Sequence, residues 1–154
     1  RAEIEKIREG MVRPLESEGK LTPRGFEDEV REIVTGRIGF RRDENRLKSA
    51  LDELSRLKGR EGSVHAGNYH DLMRFYEAKN LRTVAETIAA CALERRETRG
   101  GGAHVRMDYP ERDDASGAKM ILVKKDTESG ELKVSSEPTG LDVEVVPESN
   151  ISGG

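Results

Sequence analysis

The stretch Ala92-Leu93-Glu94-Arg95-Arg96-Glu97-Thr98-Arg99-Gly100-Gly101-Gly102-Ala103-His104-Val105-Arg106-Met107-Asp108-Tyr109-Pro110-Glu111-Arg112-Asp113-Asp114 carries a charged helical run into three glycines and then an extended segment. Glycine adopts positive φ without penalty and commonly ends helices. A phosphate-cradling glycine loop follows a strand and opens a helix; here the order is reversed, so the glycines read as a helix stop. A turn at that point would let His104 to Tyr109 fold back along the helix, so that arginines and carboxylates pair across it. Guanidinium and carboxylate groups match bidentately, which suits a semi-buried latch between structural units. The other reading of the same residues is a solvated charge run.

Upstream lies the longest periodic segment, Tyr69 to about Glu97. It shows one apolar patch at Tyr69, Leu72, Met73 and Tyr76 and a second at Leu81, Val84, Ala85, Ile88 and Ala92. Its small residues Ala85, Ala89, Ala90 and Ala92 would admit a close helix neighbour. Asp43 can cap an earlier helix striped by Leu47, Leu51 and Leu54 and stopped by Gly59. Thr22-Pro23 caps another, with Phe26, Val30 and Ile33 on one face until Gly36. Ile4, Ile7 and Met11 repeat at helical spacing in a first helix that Pro14 interrupts or ends. Downstream of Pro110 the period shortens: Lys119 to Lys125, Leu132 to Ser135 and Leu141 to Val146 predict two or three short strands separated by turn residues.

The fold class that follows is mainly α, a three-helix-bundle-like (spectrin-repeat-like) helical domain followed by a small β-containing C-terminal tail. The expected divisions are a helical bundle over 1–99, a glycine hinge and latch loop over 100–116, short strands over 117–150 and a frayed tail over 151–154. A chain of 154 residues is large enough to bury one core, although 37% charged residues and a mean hydropathy of −0.74 favour a slim domain with long solvated faces.

The 27 basic and 30 acidic residues nearly cancel, which gives no broad positive field for nucleic acid or an anionic membrane. The cluster Arg37, Arg41, Arg42 and Arg46 reads, beside Asp43 and Glu44, as a solvated helix start. No apolar run reaches the length of a membrane span, and no direct membrane insertion is expected. The chain opens Arg1-Ala2-Glu3-Ile4 without an initiator methionine, as a piece of something longer would. The single cysteine, Cys91, sits among alanines and reads as packing. His65 and His70 are not at one-turn spacing and have no completing ligand, so no metal site is expected.

The quoted stretch resembles the signature of the C-terminal domain of the succinate dehydrogenase/fumarate reductase flavoproteins and the related L-aspartate oxidases. There a helix ends in Arg-Glu-Ser-Arg-Gly-Ala-His, followed by Arg-x-Asp-Tyr/Phe-Pro and an acidic pair. Arg96, Glu97, Arg99, Gly100, Ala103, His104, Arg106, Asp108, Tyr109, Pro110, Asp113 and Asp114 fill those places. Thr98 stands where serine is usual, and Gly101-Gly102 lengthen the turn. Arg13-Pro14-Leu15, Gly39-Phe40-Arg41-Arg42-Asp43 and Asn80-Leu81 fall in the expected order.

The resemblance implies a parent protein that binds FAD and transfers hydride, with flavin and substrate residues outside this stretch. It therefore implies no catalytic or cofactor-binding residue here, and Arg96, Glu97, Arg99, His104, Arg106, Asp108 and Tyr109 become a domain-docking signature. The implied partners are the FAD-binding domain of the parent chain and an iron–sulfur subunit. The implied location is the cytoplasm or the cytoplasmic face of a membrane complex. A free-standing interaction module built on the same fold is the alternative.

Overall fold

The computed structural model describes residues 1–139. The expected strand over Leu141 to Val146 and the expected frayed end over 151–154 lie outside the described residues. Helices α1 (Ala2–Glu16), α2 (Pro23–Ile33), α3 (Glu44–Gly59) and α4 (Tyr69–Glu94) are followed by the short α5 (Asp114–Gly117). Two-residue strands β1 (Arg41–Arg42) and β2 (Val105–Arg106) pair in parallel, and β3 (Lys119–Lys125) and β4 (Leu132–Pro138) form an antiparallel hairpin.

Capping sets the helix starts. Thr22 Oγ1 accepts from Gly25 N, Asp43 from Arg46 N and Asn68 from Asp71 N, each satisfying a donor that the first turn leaves free. Helix α2 does not stop at Gly36: it runs on through a five-residue π turn, Val34–Ile38, and the wider winding brings Ile38 into the core at 3% exposure.

Helices α2, α3 and α4 make the bundle. Phe26, Val30, Leu47, Leu54 and Phe75 fill its centre, with Phe26 and Phe75 edge to face at 5.7 Å between centroids. The buried face of α4 is not the one its large apolar residues mark. It runs Phe75, Ala78, Arg82, Ala85, Ala89, Ala92, while Tyr69, Met73, Val84 and Ile88 are exposed. The leucines and phenylalanines of α2 and α3 already occupy the interior, so α4 presents small side chains to them. Arg82 is buried on that face, held by Glu61 at 3.0 Å and Glu86 at 2.8 Å.

Helix α1 stands apart. Pro14 is buried two residues before its end, and Tyr76 donates to the Met11 carbonyl at 2.9 Å, but Ile4, Ile7 and Met11 are mostly exposed. The β3–β4 hairpin packs against α4, and Arg95, just past the end of that helix, donates to the carbonyls of Gly117 and Lys119.

Candidate functional site: the latch at the end of α4

Helix α4 ends at Glu94, three residues before the expected boundary, so Arg95, Arg96 and Glu97 belong to the loop. The early stop decides which arginine turns inward. Arg95 is engaged, whereas Arg96 is exposed and makes no side-chain hydrogen bond among the described residues. Sequence reasoning put Arg96 in the signature and left Arg95 as a flanking charge. Only the position of the helix end could have separated two adjacent arginines.

Gly100, Gly101 and Gly102 all have positive φ (82°, 59° and 94°), a run that side-chain-bearing residues disfavour. The turn they make brings Arg99 and His104 into an antiparallel bridge, with Arg99 N donating to the His104 carbonyl at 3.0 Å. It joins two extended segments and opens no helix, so it offers a dinucleotide no N-terminal cradle. The chain then runs beside the α2–α3 connection. Val105 N donates to Phe40 O and Met107 N to Arg42 O, which builds the β1–β2 pair.

Arg106 is fully buried, at 0% exposure. Its Nη1 donates to the carbonyls of Ala92 and Arg95, both at 2.7 Å, and of Leu93 at 3.3 Å; these are among the acceptors that the end of α4 leaves open. Its Nε and Nη2 each reach a carboxylate oxygen of Asp108 at 2.8 Å. Asp108 Oδ2 in turn accepts from Glu44 N, the first residue of α3, at 2.9 Å. One bidentate ion pair thus places its cation on the negative end of α4 and its anion on the positive end of α3. The hydrogen bonds from Arg106 hold the Asp108 carboxyl down to about 2 from 3.8. The Tyr109 ring lies 5.0 Å from the Arg106 guanidinium carbon.

Glu97 is the second buried charge, at 2% exposure. One carboxylate oxygen accepts from Arg95 at 2.5 Å and Arg99 at 2.7 Å; the other accepts from Asp113 N at 3.0 Å. Burial pushes its carboxyl up, but these donors outweigh burial and the net shift is downward. Gly117 closes over it: a Cβ there would lie 2.3 Å from the Glu97 carboxylate. Arg99 also pairs with Asp114 at 2.7 Å, and its pKa is raised by its hydrogen bonds to Glu97 and Asp114. Thr98 Oγ1 accepts from Arg106 N and lies 3.0 Å from the Tyr109 carbonyl, so the hydroxyl retained at this position stitches both sides of the turn.

Arg42, grouped above with a solvated helix start, is instead 93% buried, because the parallel register turns its side chain inward while Arg41 stays exposed. His104 is partly buried, and its pKa is lowered by burial and by the nearby Arg42. Burial raises the Cys91 thiol, with Arg95 pulling the other way. Among the described residues no group of three His, Cys, Asp or Glu side chains could hold a metal ion, and no helix is long and apolar enough to cross a membrane.

Residues 27–150, which include the whole latch, match the family model described as fumarate reductase flavoprotein C-term. The chain belongs to this flavoprotein C-terminal family. Among curated relatives, the fumarate reductase flavoprotein subunit of Haemophilus influenzae is 30% identical over 80% of this chain and 21% of its own length. An uncharacterized FAD-dependent oxidoreductase of Methanocaldococcus jannaschii is 29% identical over 70% of this chain and 20% of its own. The chain therefore spans about a fifth of the length of these relatives. In fold, the flavoprotein C-terminal domain superposes on adenylylsulfate reductase of Archaeoglobus fulgidus with a TM-score of 0.85 at 24% identity, covering 93% of this chain and 25% of that one.

Proposed function

We propose that this C-terminal domain braces the flavin-binding domain of an FAD-dependent fumarate reductase or succinate dehydrogenase-type parent and offers a face to an iron–sulfur subunit. The observation that carries the reading is the apolar stripe of α1: Ile4, Ile7 and Met11, 69%, 58% and 52% exposed, have no cover within the described residues. Phe40 and Met107 add exposed apolar surface at either side of the β1–β2 pair. The charges of the signature close mainly on one another. What remains for a neighbour is exposed apolar surface, the α1 stripe at one end of the bundle and Phe40 with Met107 beside the latch, which is the composition expected at the centre of an interface.

The role of the latch is to hold the Phe40 and Met107 surface in one orientation. Arg106 and Asp108 fix the ends of α3 and α4, Glu97 and Arg99 tie the loop to the start of α5, and Tyr109 and His104 lie in the loop. Flavin and substrate contacts would come from the remainder of the parent protein.

The test is a double substitution, Ile4→Glu with Ile7→Glu, made both in the 154-residue chain and in the parent flavoprotein. The isolated chain should melt as before, since both side chains are exposed, while the parent should lose flavin on gel filtration and release any copurifying iron–sulfur subunit. Full flavin retention and an intact complex would refute the bracing role.

A further inference from the structure

Beside the latch, α4, the glycine turn and the start of β3 enclose an open cleft of about 510 Å³. Its wall is mostly hydrocarbon, from Ile88, Ala92, Ala103 and Ile121. Among the described residues the charged and titratable side chains that line it are Arg42, Arg95, Arg99, His104 and Cys91, with no carboxylate. Arg95 and Arg99 are paired with Glu97 and Asp114, the latter shared with Arg112. Arg42 is not. It is 93% buried, forms no salt bridge among the described residues, and donates one side-chain hydrogen bond, to the Ala103 carbonyl at 3.1 Å. Its Nε, closed off from solvent, has no hydrogen-bond partner among the described residues, and neither has the equally closed-off Nε2 of His104. Buried guanidinium groups ordinarily sit against a carboxylate, because removing the charge from water uncompensated is costly.

We propose that this cleft binds an aliphatic carboxylate, which pairs with the Arg42 guanidinium where it lines the cleft and lays its hydrocarbon chain along Ile88 and Ala92. The proposal goes beyond the bracing role and does not depend on it. An acidic side chain of another protein and a free short-chain carboxylate share this chemistry. The downward shift of Arg42, caused by burial and by Arg106, is consistent with a cation lacking its counter-charge.

The experiment is NMR of the isotopically labelled 154-residue chain, following the Arg42 Nε–H and His104 ring signals. Butyrate is one probe, a blocked Leu-Glu-Leu peptide the other, with sodium chloride matched for ionic strength. A saturable shift of both signals by butyrate at about 1–10 mM, weakened about tenfold or more in Arg42→Lys, is the expected result for a free carboxylate. Binding of the peptide about tenfold tighter than butyrate, with the same Arg42→Lys loss, assigns the site to a protein-borne carboxylate. No shift beyond the chloride control with either probe would overturn the proposal. So would an unchanged titration in Arg42→Lys, or a through-bond coupling between Arg42 Nε–H and His104 Nε2 in the free chain. The wild-type titration reads the site whether or not a variant folds.

Discussion

The middle of the bundle and its latched end are equally dry and are closed by opposite chemistries. In the middle, Phe26, Leu47 and Leu54 meet the alanines of α4, and any side chain of similar volume would give similar burial. At the end, Arg106 and Glu97 are as buried as those leucines, yet each charged atom has a named partner at a fixed distance. The middle therefore tolerates exchange of one apolar residue for another. The latch tolerates none, because removing any member leaves a buried partner unsatisfied.

Arg106→Met tests that contrast most severely. It leaves the carbonyls of Ala92, Leu93 and Arg95 without a side-chain donor and strips Asp108 of its cation, and urea denaturation of the 154-residue chain should show a loss of about 3–5 kcal/mol. A loss below about 1 kcal/mol would rank the latch with exposed ion pairs and dissolve the comparison. Leu54→Ala comes next, at about 3 kcal/mol, and Leu54→Met should cost under about 1.5 kcal/mol. If the conservative exchange were as harmful as truncation, the middle would be as exacting as the latch.

The smallest expected effect is an acid limb. Asp108 titrates near 2 in the folded chain against 3.8 as its reference, so the unfolded chain binds its proton more readily. The stability it contributes is complete above about pH 4 and disappears as the pH falls towards about 2. It amounts to about 1–2 kcal/mol. Asp108→Asn should flatten this limb in melts taken across that range, and an unaltered limb would assign it to other carboxylates.

Helix positions were legible where a cap precedes a stripe: Asp43 before Leu47 and Leu54, and Thr22-Pro23 before Phe26 and Val30. The inward face of α4 was legible in part: Ala85, Ala89 and Ala92, read as admitting a close helix neighbour, are buried, whereas the larger Val84 and Ile88 point to a face that stays exposed. The signature marked Glu97, Arg99, Arg106 and Asp108, whose partners follow from charge and short spacing. Arg42 was read as part of a solvated helix start, and Arg95 was given no place in the signature. Their burial depends on where α4 stops and on a strand pairing between residues 64 apart, such as Arg41 with Val105, and neither fact is local. The apolar repeat of α1 was visible, but periodicity alone does not say whether a partner covers it.

The β1–β2 pairing has a kinetic consequence. Its two-residue strands join points separated by the whole of α3 and α4, so closing that loop early would forfeit much chain entropy for very few contacts. Arg106 has no carbonyls to seat on until the last turn of α4 has formed. Order of assembly follows from this: helix docking comes first, and the latch snaps shut last. In reverse, the latch opens before α2, α3 and α4 part, so the amides of Val105 and Met107 exchange with solvent hydrogen ahead of those inside the bundle.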